Sequence, residues 1–246
     1  MAATVVEGHV SDNSGILSAI ADSFAPVHRE GHVFVAVGLG VTLLFFLIWP
    51  PLGWLAALAT AWIAYFFRDP DRVTPLREGL IVAPADGRIT QIEAIRPPPE
   101  LGLGDAPRTR ISIFLSVFDV HINRSPVAGR VVRSLYVPGA FFNASLDKAS
   151  EENERRALVI STSRGTEIAV VQIAGLIARR IVSFVGEGDA VGVGQRFGLI
   201  RFGSRVDLYL PPARNALVAV GQRAVAGETV LADLDSAEPE REARRS

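Results

Sequence analysis

The chain has 246 residues, 25 basic and 26 acidic side chains and no cysteine, and 49% of its residues are hydrophobic. This length fits one large domain or two small ones with a sizeable core. The lack of cysteine excludes a disulfide framework, cysteine-ligated zinc, iron–sulfur clusters and a catalytic thiol. The near-neutral charge disfavours nucleic acid as a partner. Lys148 is the single lysine, so pyridoxal phosphate and other chemistries that need a lysine depend on one candidate.

An apolar segment over residues 33–67 carries no charged side chain. One straight helix of that length would measure roughly 50 Å, well beyond a hydrocarbon core of about 30 Å. Pro50 and Pro51 interrupt the segment, which predicts two short helices of about 17 and 16 residues. We expect a membrane-associated helical hairpin that either spans the bilayer or lies in one leaflet. Two buried helices of a soluble core are the alternative.

Arginines flank the apolar segment on both sides. Arg29 precedes it, and Arg68, Arg72 and Arg77 follow it. Both ends of a hairpin lie on the same side of a membrane, and positive residues favour the cytoplasmic side. We therefore expect residues 1–32 to form an N-terminal flank, and the protein to lie at the cell membrane with its body in the cytoplasm.

After the apolar segment the sequence changes to short β-type runs separated by glycine and proline. This spacing predicts a mainly β fold: a compact β-sandwich or barrel-sandwich-like body over residues 68–235, followed by a charged tail at 236–246. Residues 143–156 read as a helix or an ordered loop. The predicted strands are 80–83, 88–95, 110–118, 129–136, 157–161, 167–173, 180–184, 198–202, 205–210 and 229–234.

The predicted β body contains weak internal repeats. Residues 83–89 resemble residues 125–131, because in both copies a Pro-x-x-Gly or Pro-x-Asp-Gly turn runs into a strand. Residues 191–198 likewise resemble residues 218–227. The pattern suggests duplicated β-hammerhead or barrel-sandwich units, although chance similarity at these lengths is the competing explanation.

Three side chains of the β body are candidates for chemistry. His121 is the only histidine after the apolar segment and ends a predicted strand, so it is a candidate proton carrier. Asp86 lies in a Pro-Ala-Asp-Gly turn, where capping its own backbone is the simpler explanation. Ser204 follows Gly203 between two apolar runs, and alone it would indicate a turn or bulge. Val206 replaces the second glycine of a nucleophile elbow. No residues have metal-ligand spacing, so we predict no metal site.

The combination of these segments is more specific than any one of them. The run Ile-Arg-Phe-Gly-Ser-Arg-Val-Asp-Leu-Tyr-Leu-Pro at 200–211, with four upstream motifs in order, resembles the short bacterial and archaeal form of phosphatidylserine decarboxylase proenzymes. The resemblance covers about residues 33–234. The upstream motifs are 84–87, 119–121, 142–155 and 172–181.

The resemblance implies a protein that cuts its own chain between Gly203 and Ser204. A large chain, 1–203, and a small chain, 204–246, would then remain associated, with Ser204 converted to an amino-terminal pyruvoyl group. This covalent cofactor would capture the amine of phosphatidylserine and allow its carboxylate to leave as carbon dioxide. The product, phosphatidylethanolamine, implies a role in phospholipid biosynthesis without pyridoxal phosphate.

The resemblance also implies roles for individual residues. His121 would transfer protons during decarboxylation or processing, and Asp86 would orient or activate a base during self-cleavage. Long-form relatives have a second histidine where this chain has Arg124, and serine or threonine where it has Arg205, so their processing triad need not apply here. The candidates for pairing with the lipid phosphate are Arg205, Arg179, Arg180 and Arg124.

Two other functions stay open at this point. A membrane-tethered β-sandwich binding or carrier module would keep one intact chain and, as a carrier, would need a modifiable lysine at a hairpin tip. Lys148 lies instead in the predicted helix. A serine hydrolase using Asp86, His121 and Ser204 would retain the serine side chain. Whether the protein forms a homo-oligomer also stays open.

Overall fold

The computed structural model describes residues 25–139, 152–175, 180–201, 203–236, 238–241 and 243–244. Two helices, α1 (Arg29–Ile48) and α2 (Pro50–Phe66), precede the strands. A 3-10 turn at Pro99–Leu101 lies between β2 and β3. The strands are β1 (Leu80–Val82), β2 (Gly87–Ile95), β3 (Arg108–Leu115), β4 (Ile122–Arg124), β5 (Gly129–Val137), β6 (Arg155–Ser161), β7 (Glu167–Ala174), β8 (Ile181–Ser183), β9 (Ala190–Val191), β10 (Arg196–Ile200), β11 (Ser204–Tyr209), β12 (Arg223–Ala224) and β13 (Val230–Asp233).

The apolar segment forms two helices that are longer than the sequence indicated, with 20 and 17 residues. α1 begins four residues before the expected start, where the His28 side chain caps the helix by accepting a hydrogen bond from the backbone N–H of Glu30. Pro50 and Pro51 occupy the first turn of α2, where a missing N–H costs nothing. α1 is long and apolar enough to cross a membrane.

Small residues allow the two helices to pack closely. A β-carbon on Gly38 would lie 2.7 Å from Oγ1 of Thr60, and one on Gly53 would lie 2.4 Å from the ring of Phe46. The hydroxyls of Thr42 and Thr60 are 3.2 Å apart and hydrogen bonded. Close backbone approach at small residues is typical of helices that associate in lipid. The outward faces of both helices leave large apolar side chains exposed.

Three sheets enclose the core of the β body. An eight-stranded antiparallel sheet has the order β12-β2-β3-β11-β7-β6-β5-β9, and two smaller sheets have the orders β4-β10-β8 and β1-β13. One buried cluster contains side chains from all three, including Ile113, Phe197 and Ile81. The predicted fold class, a mainly β body with an N-terminal apolar helical hairpin, is confirmed.

The sequence repeats occupy equivalent places in the large sheet. β2 pairs with β3 and β12, and β5 pairs with β6 and β9, at opposite ends of the sheet. Both strands have a register shift at the same point, after Ile89 in one copy and after Val131 in the other. The backbone N–H of Gly227 bonds to the carbonyl of Ala83, as that of Gly194 bonds to Ser125. The body therefore has internal pseudo-twofold symmetry.

Several element boundaries differ from the sequence prediction. β3 ends at Leu115 rather than residue 118, because the carboxylate of Asp119 accepts hydrogen bonds from the N–H and hydroxyl of Ser116 and closes a turn. The predicted helix at 143–156 is wrong at its end, since residues 155 and 156 pair with β5 and β7 as part of β6. Residues 143–151 lie outside the described part. The short strands β4, β9 and β12 were not predicted.

Replacing Gly129 by alanine should destabilise the body. A β-carbon there would lie 2.3 Å from the backbone oxygen of Ser161 on β6, and such overpacking typically costs about 1–3 kcal/mol. We expect Gly129→Ala to melt roughly 2–12 °C lower than wild type in detergent, followed by circular dichroism. Gly192→Ala is the control, because its nearest contact would be an ordinary 3.7 Å. Equal melting temperatures for all three proteins would contradict this account of the strand pairing.

Candidate active site

Ser204 begins β11 directly after a glycine in the left-handed conformation. Gly203 has a φ of +52°, a conformation that costs other residues about 1–2 kcal/mol. Space does not require glycine there, since a β-carbon would meet no atom within 4 Å. Ser204 is completely buried, and its Oγ has no hydrogen-bond partner among the described residues. The sequence thus places an unengaged hydroxyl next to a backbone turn that only glycine adopts easily.

β11 is hydrogen bonded along both edges. Ser204 pairs with Leu115 of β3 on one side and with Ala174 of β7 on the other. Because side chains alternate along a strand, Ser204 faces the same side as Val206, which belongs to the main core. Arg205 faces the opposite side. The hydroxyl of Ser204 therefore points into the interior between the sheets.

His121 is buried beside the end of α2. Its Nδ1 lies 2.9 Å from the carbonyl oxygen of Asp119, which favours the tautomer that carries the proton on Nδ1. Its Nε2 then presents a lone pair and has no hydrogen-bond partner in the described structure. The ring centroid lies 4.3 Å from that of Phe66. Burial lowers the pKa of His121 to about 4, so the imidazole is neutral at physiological pH and can accept a proton.

The turn after β3 brings His121 to the end of the strand that pairs with Ser204. Asp119 binds Ser116, the residue after Leu115, and Leu115 is opposite Ser204. The backbone N–H of Ile200 contacts the carbonyl of His121 at 3.3 Å, and only three residues separate Ile200 from Ser204. His121 and Ser204 therefore lie at the same end of the sheet, although no hydrogen bond joins their side chains.

Asp119 is a site residue that the sequence analysis did not single out. Its carboxylate accepts from Ser116 and from the guanidinium of Arg223. Burial would raise the pKa of Asp119, but these hydrogen bonds outweigh it and hold the pKa below the usual value. A charged Asp119 fixes the turn that carries His121. An Asp two residues before a His is the only sequence signal that could have indicated this.

Asp86 lies on the other side of the same strand end, at the start of β2. Gly87 allows this approach, since a β-carbon there would lie 2.2 Å from the backbone oxygen of Phe114. The Asp86 carboxylate accepts from the N–H of Ala226 at 2.8 Å and from Arg72 at 2.7 Å. Burial raises the pKa of Asp86, opposed by both of these partners. The described contacts do not join Asp86 to His121.

The four arginines predicted to bind the lipid phosphate have different surroundings. Arg205 is 2% exposed and forms a two-point ion pair with Asp207, at 2.6 and 2.9 Å, so its charge is already neutralised on the face opposite Ser204. Arg124 is buried and binds Asp69 and two backbone carbonyls. Arg180 is exposed at the end of β8. Arg179 lies outside the described residues.

Two further polar side chains lie in the interior near Ser204. Gln172 on β7 donates a hydrogen bond to Asn123 on β4 at 2.7 Å, and both residues are completely buried. Each still has an atom without a partner among the described residues, Oε1 of Gln172 and Nδ2 of Asn123. Isolated Asn and Gln in strand-like runs carry no distinctive sequence pattern, so only the structure identifies this pair.

The site combines a buried hydroxyl that has no hydrogen-bond partner among the described residues, a buried neutral imidazole, and a glycine with a positive φ. A hydroxyl that neighbours a peptide carbonyl can attack it, and a neutral imidazole can accept a proton. These residues suit self-cleavage at Gly203 and conversion of Ser204 to an α-keto group. Within the described residues no group of three or more His, Asp or Glu side chains could hold a metal ion.

Comparison with known proteins identifies the family. A family model for phosphatidylserine decarboxylase matches residues 59–232. The phosphatidylserine decarboxylase proenzyme of Cereibacter sphaeroides (strain ATCC 17025 / ATH 2.4.3) is 60% identical over 216 residues, which cover 88% of this chain and 93% of that relative. The chain belongs to the phosphatidylserine decarboxylase family.

Membership of the phosphatidylserine decarboxylase family confirms the resemblance seen in the sequence. The match includes β1 to β12, all but the last residue of β13 and the last eight residues of α2, so it covers every candidate residue of the site. The chain is therefore a decarboxylase, a carbon–carbon lyase. Neither the binding or carrier module nor the serine hydrolase is favoured by these relatives.

The buried neutral imidazole predicts a pH dependence of stability. Between pH 6.5 and about 4 the unfolded chain binds a proton at His121 and the folded chain does not. Stability should therefore fall as the pH falls through this window, by up to about 1.4 kcal/mol per pH unit. The measurement is the melting temperature at several pH values for wild type and His121→Gln. We expect the melting temperature to decline less in the variant. His28 is present in both proteins and therefore does not contribute to the difference between them. Equal declines would refute a neutral buried His121.

Proposed function

We propose that this chain is a self-processing decarboxylase that converts phosphatidylserine to phosphatidylethanolamine and carbon dioxide, using a pyruvoyl group made from Ser204. The observation that carries the proposal is the completely buried Ser204 hydroxyl, without a hydrogen-bond partner in the described structure, directly after Gly203 with its positive φ. The proenzyme name of the 60% identical relative is consistent with cleavage into two chains.

Self-cleavage begins with attack by the Ser204 Oγ on the carbonyl carbon of Gly203. The new O–C bond replaces the C–N bond, and the hydroxyl proton passes to the nitrogen of residue 204, which becomes an amine. Loss of the α-proton of residue 204 and departure of the Gly203 carboxylate then leave a carbon–carbon double bond. Water converts the resulting enamine to a ketone and releases ammonia. Gly203 has no side chain that would obstruct attack on its carbonyl carbon, and glycine adopts its positive φ without strain.

His121 is the proposed proton carrier. Its Nε2 has no hydrogen-bond partner among the described residues, its Nδ1 is fixed by the Asp119 carbonyl, and burial lowers its pKa and keeps the ring neutral. A neutral imidazole at the same end of the sheet can take the hydroxyl proton of Ser204 and return a proton later. Asp119 acts as a positioning residue for this imidazole.

Asp86 is proposed to position the processing site rather than to act on His121. Its two partners, Arg72 and the backbone of Ala226, tie the turn before β2 to two other segments. That turn lies beside the end of β3, opposite the side occupied by β11. Asp86 therefore stabilises the strand end against which Ser204 is placed.

The pyruvoyl group, once formed, supplies an electron sink that makes loss of carbon dioxide from the bound amino acid favourable. The chain itself supplies a buried position for residue 204, which is opposite Leu115 and on the same face of β11 as Val206, two members of the apolar core. An interior that excludes water protects reactive groups from side reactions. His121 can hold the proton that replaces the departing carboxylate.

The hairpin is proposed to anchor the protein in the membrane with its body on the cytoplasmic side. α1 has the length and apolar character of a membrane helix, and cationic side chains gather where the hairpin meets the body. Arg68 donates to the carbonyls of Tyr65 and Phe118 at 2.8 Å each, and Phe118 is 62% exposed.

Arg180, which is exposed directly before β8, is retained as a candidate for binding the lipid phosphate. Arg205 is not proposed for this role, because it is paired with Asp207.

Ser204→Ala should remain a single chain without decarboxylase activity. Alanine lacks the attacking oxygen, so neither cleavage nor formation of the ketone can occur. Intact mass spectrometry of purified wild type should show two chains, the smaller starting at residue 204 with a blocked, hydroxylamine-reactive ketone. Decarboxylation is measured on phosphatidylserine vesicles.

Ser125→Ala is the matched control for this experiment. Ser125 is equally buried, but its hydroxyl is bonded to the carbonyl of Val127 at 2.7 Å, so the variant should still be cleaved. Cleavage of Ser204→Ala at the same bond would contradict the proposal. An active, uncut wild type whose Ser204 reacts with a fluorophosphonate would establish the serine hydrolase instead.

A further inference from the structure

The interior of the body contains a small group of polar atoms that no hydrogen bond accounts for. Among the described residues, the side chains other than arginine with a buried, unpartnered nitrogen or oxygen are His121, Asn123, Gln172 and Ser204. Buried polar atoms without partners are rare and costly in folded proteins. Two members of the group belong to the reaction described above. The other two, Asn123 and Gln172, have no role in it.

Strand register places Gln172 within reach of Ser204. Gln172 is directly opposite Val206, and Ser204 is two residues from Val206 on the same face of β11. Gln172 and Ser204 are therefore diagonal neighbours on one face of the sheet, where β-carbons lie about 7–8 Å apart or less, a gap that a long side chain spans. Both side chains point into the same interior.

Asn123 connects this position to His121. The two residues are separated by one position on an extended segment, so their side chains leave the same side of the chain. The hydrogen bond from Gln172 to Asn123 joins β7 of the large sheet to β4 of the three-stranded sheet. The pair therefore crosses the interior between the residue that is cleaved and the residue that carries protons.

The amide pair has unused hydrogen-bonding capacity in either orientation. One hydrogen bond between two carboxamides leaves at least one free N–H donor and one free carbonyl oxygen, whichever residue donates. A core position that served only for packing would be better filled by apolar side chains, which leave no group unsatisfied. The retained donors therefore point to a partner that the pair engages during the reaction.

We propose that the Asn123–Gln172 pair positions Ser204 for self-cleavage. An amide N–H of the pair donates to the Ser204 Oγ after a side-chain rotation, which leaves the hydroxyl proton for Nε2 of His121 and a lone pair for the Gly203 carbonyl carbon. No bond is made or broken by the pair itself. This inference rests on the proposed function, because it assigns positioning residues to the same cleavage.

The test compares the double variant Asn123→Leu/Gln172→Met with wild type. The rate of conversion of precursor to two chains is followed after cell-free synthesis, and the melting temperature is measured on the same proteins. Replacing both partners by apolar residues of similar size is close to neutral for stability or stabilising. We expect the melting temperature to be unchanged or raised and cleavage to be slowed about 10- to 100-fold, the effect of losing a positioning hydrogen bond.

The control is Gln195→Met, the same substitution at an exposed glutamine whose Oε1 caps the N–H of Gly192. It should be cleaved at the wild-type rate. A double variant that is cleaved as fast as wild type overturns this inference but not the proposed function. A double variant whose cleavage rate and melting temperature fall together has the same consequence. A wild-type chain that stays whole overturns the proposed function and this inference with it.

Discussion

The pairing of β11 with β3 and β7 is the constraint on which the rest of the structure depends. The Gly203–Ser204 bond, at which we propose cleavage, lies directly before a strand that is hydrogen bonded on both edges over its whole length. On the face away from the core, Arg205 pairs with Asp207 and reaches Ser112 on β3. Breaking such a buried pair costs about 3–5 kcal/mol. Residue 204 is therefore held in the sheet by strands that precede it in the chain, and these pairings would keep the small chain bound to the large one after the proposed cleavage.

The two faces of β11 differ in the hydrogen bonding of their polar side chains. Arg205 and Asp207 satisfy each other on one side, while on the other side the Ser204 hydroxyl has no hydrogen-bond partner in the described part of the chain. Unpaired polar groups in an apolar interior reduce stability, but they are available to a reacting group without first being released from other partners. The imidazole of His121 illustrates this, because the burial that lowers its pKa to about 4 keeps the ring neutral and leaves the Nε2 lone pair without a proton, while making Nε2 a weaker base. The burial of these polar groups therefore both lowers the local stability and leaves the groups available for reaction.

The sequence predicted the fold class and the hairpin, and it named Gly203 and Ser204 as the candidate cleavage site, but it did not reveal the surroundings of that site. The hairpin followed from an uncharged run broken by two prolines, and Ser204 from an ordered set of motifs. The pairing of Arg205 with Asp207 was missed, because strand alternation puts their side chains on one face but does not reveal what that face meets. Gln172 and Asn123 are separated by 48 intervening positions and join different sheets, a contact that depends on how the large sheet curls. Asp119 was not singled out from the sequence, because its contacts depend on the turn that ends β3.

The hairpin and the site are physically continuous. Phe66, the last residue of α2, is buried against the ring of His121, and it packs with Phe67, Val120 and Leu199 in a cluster of its own. The end of the hairpin therefore forms one wall around His121. A lipid substrate has its scissile carboxylate in the headgroup, only a short distance from the hydrocarbon boundary. A site built directly against the end of the hairpin can reach that headgroup while the acyl chains stay in the bilayer. This explains why the apolar helices of this β body lie next to His121 rather than at the far side of the sheet.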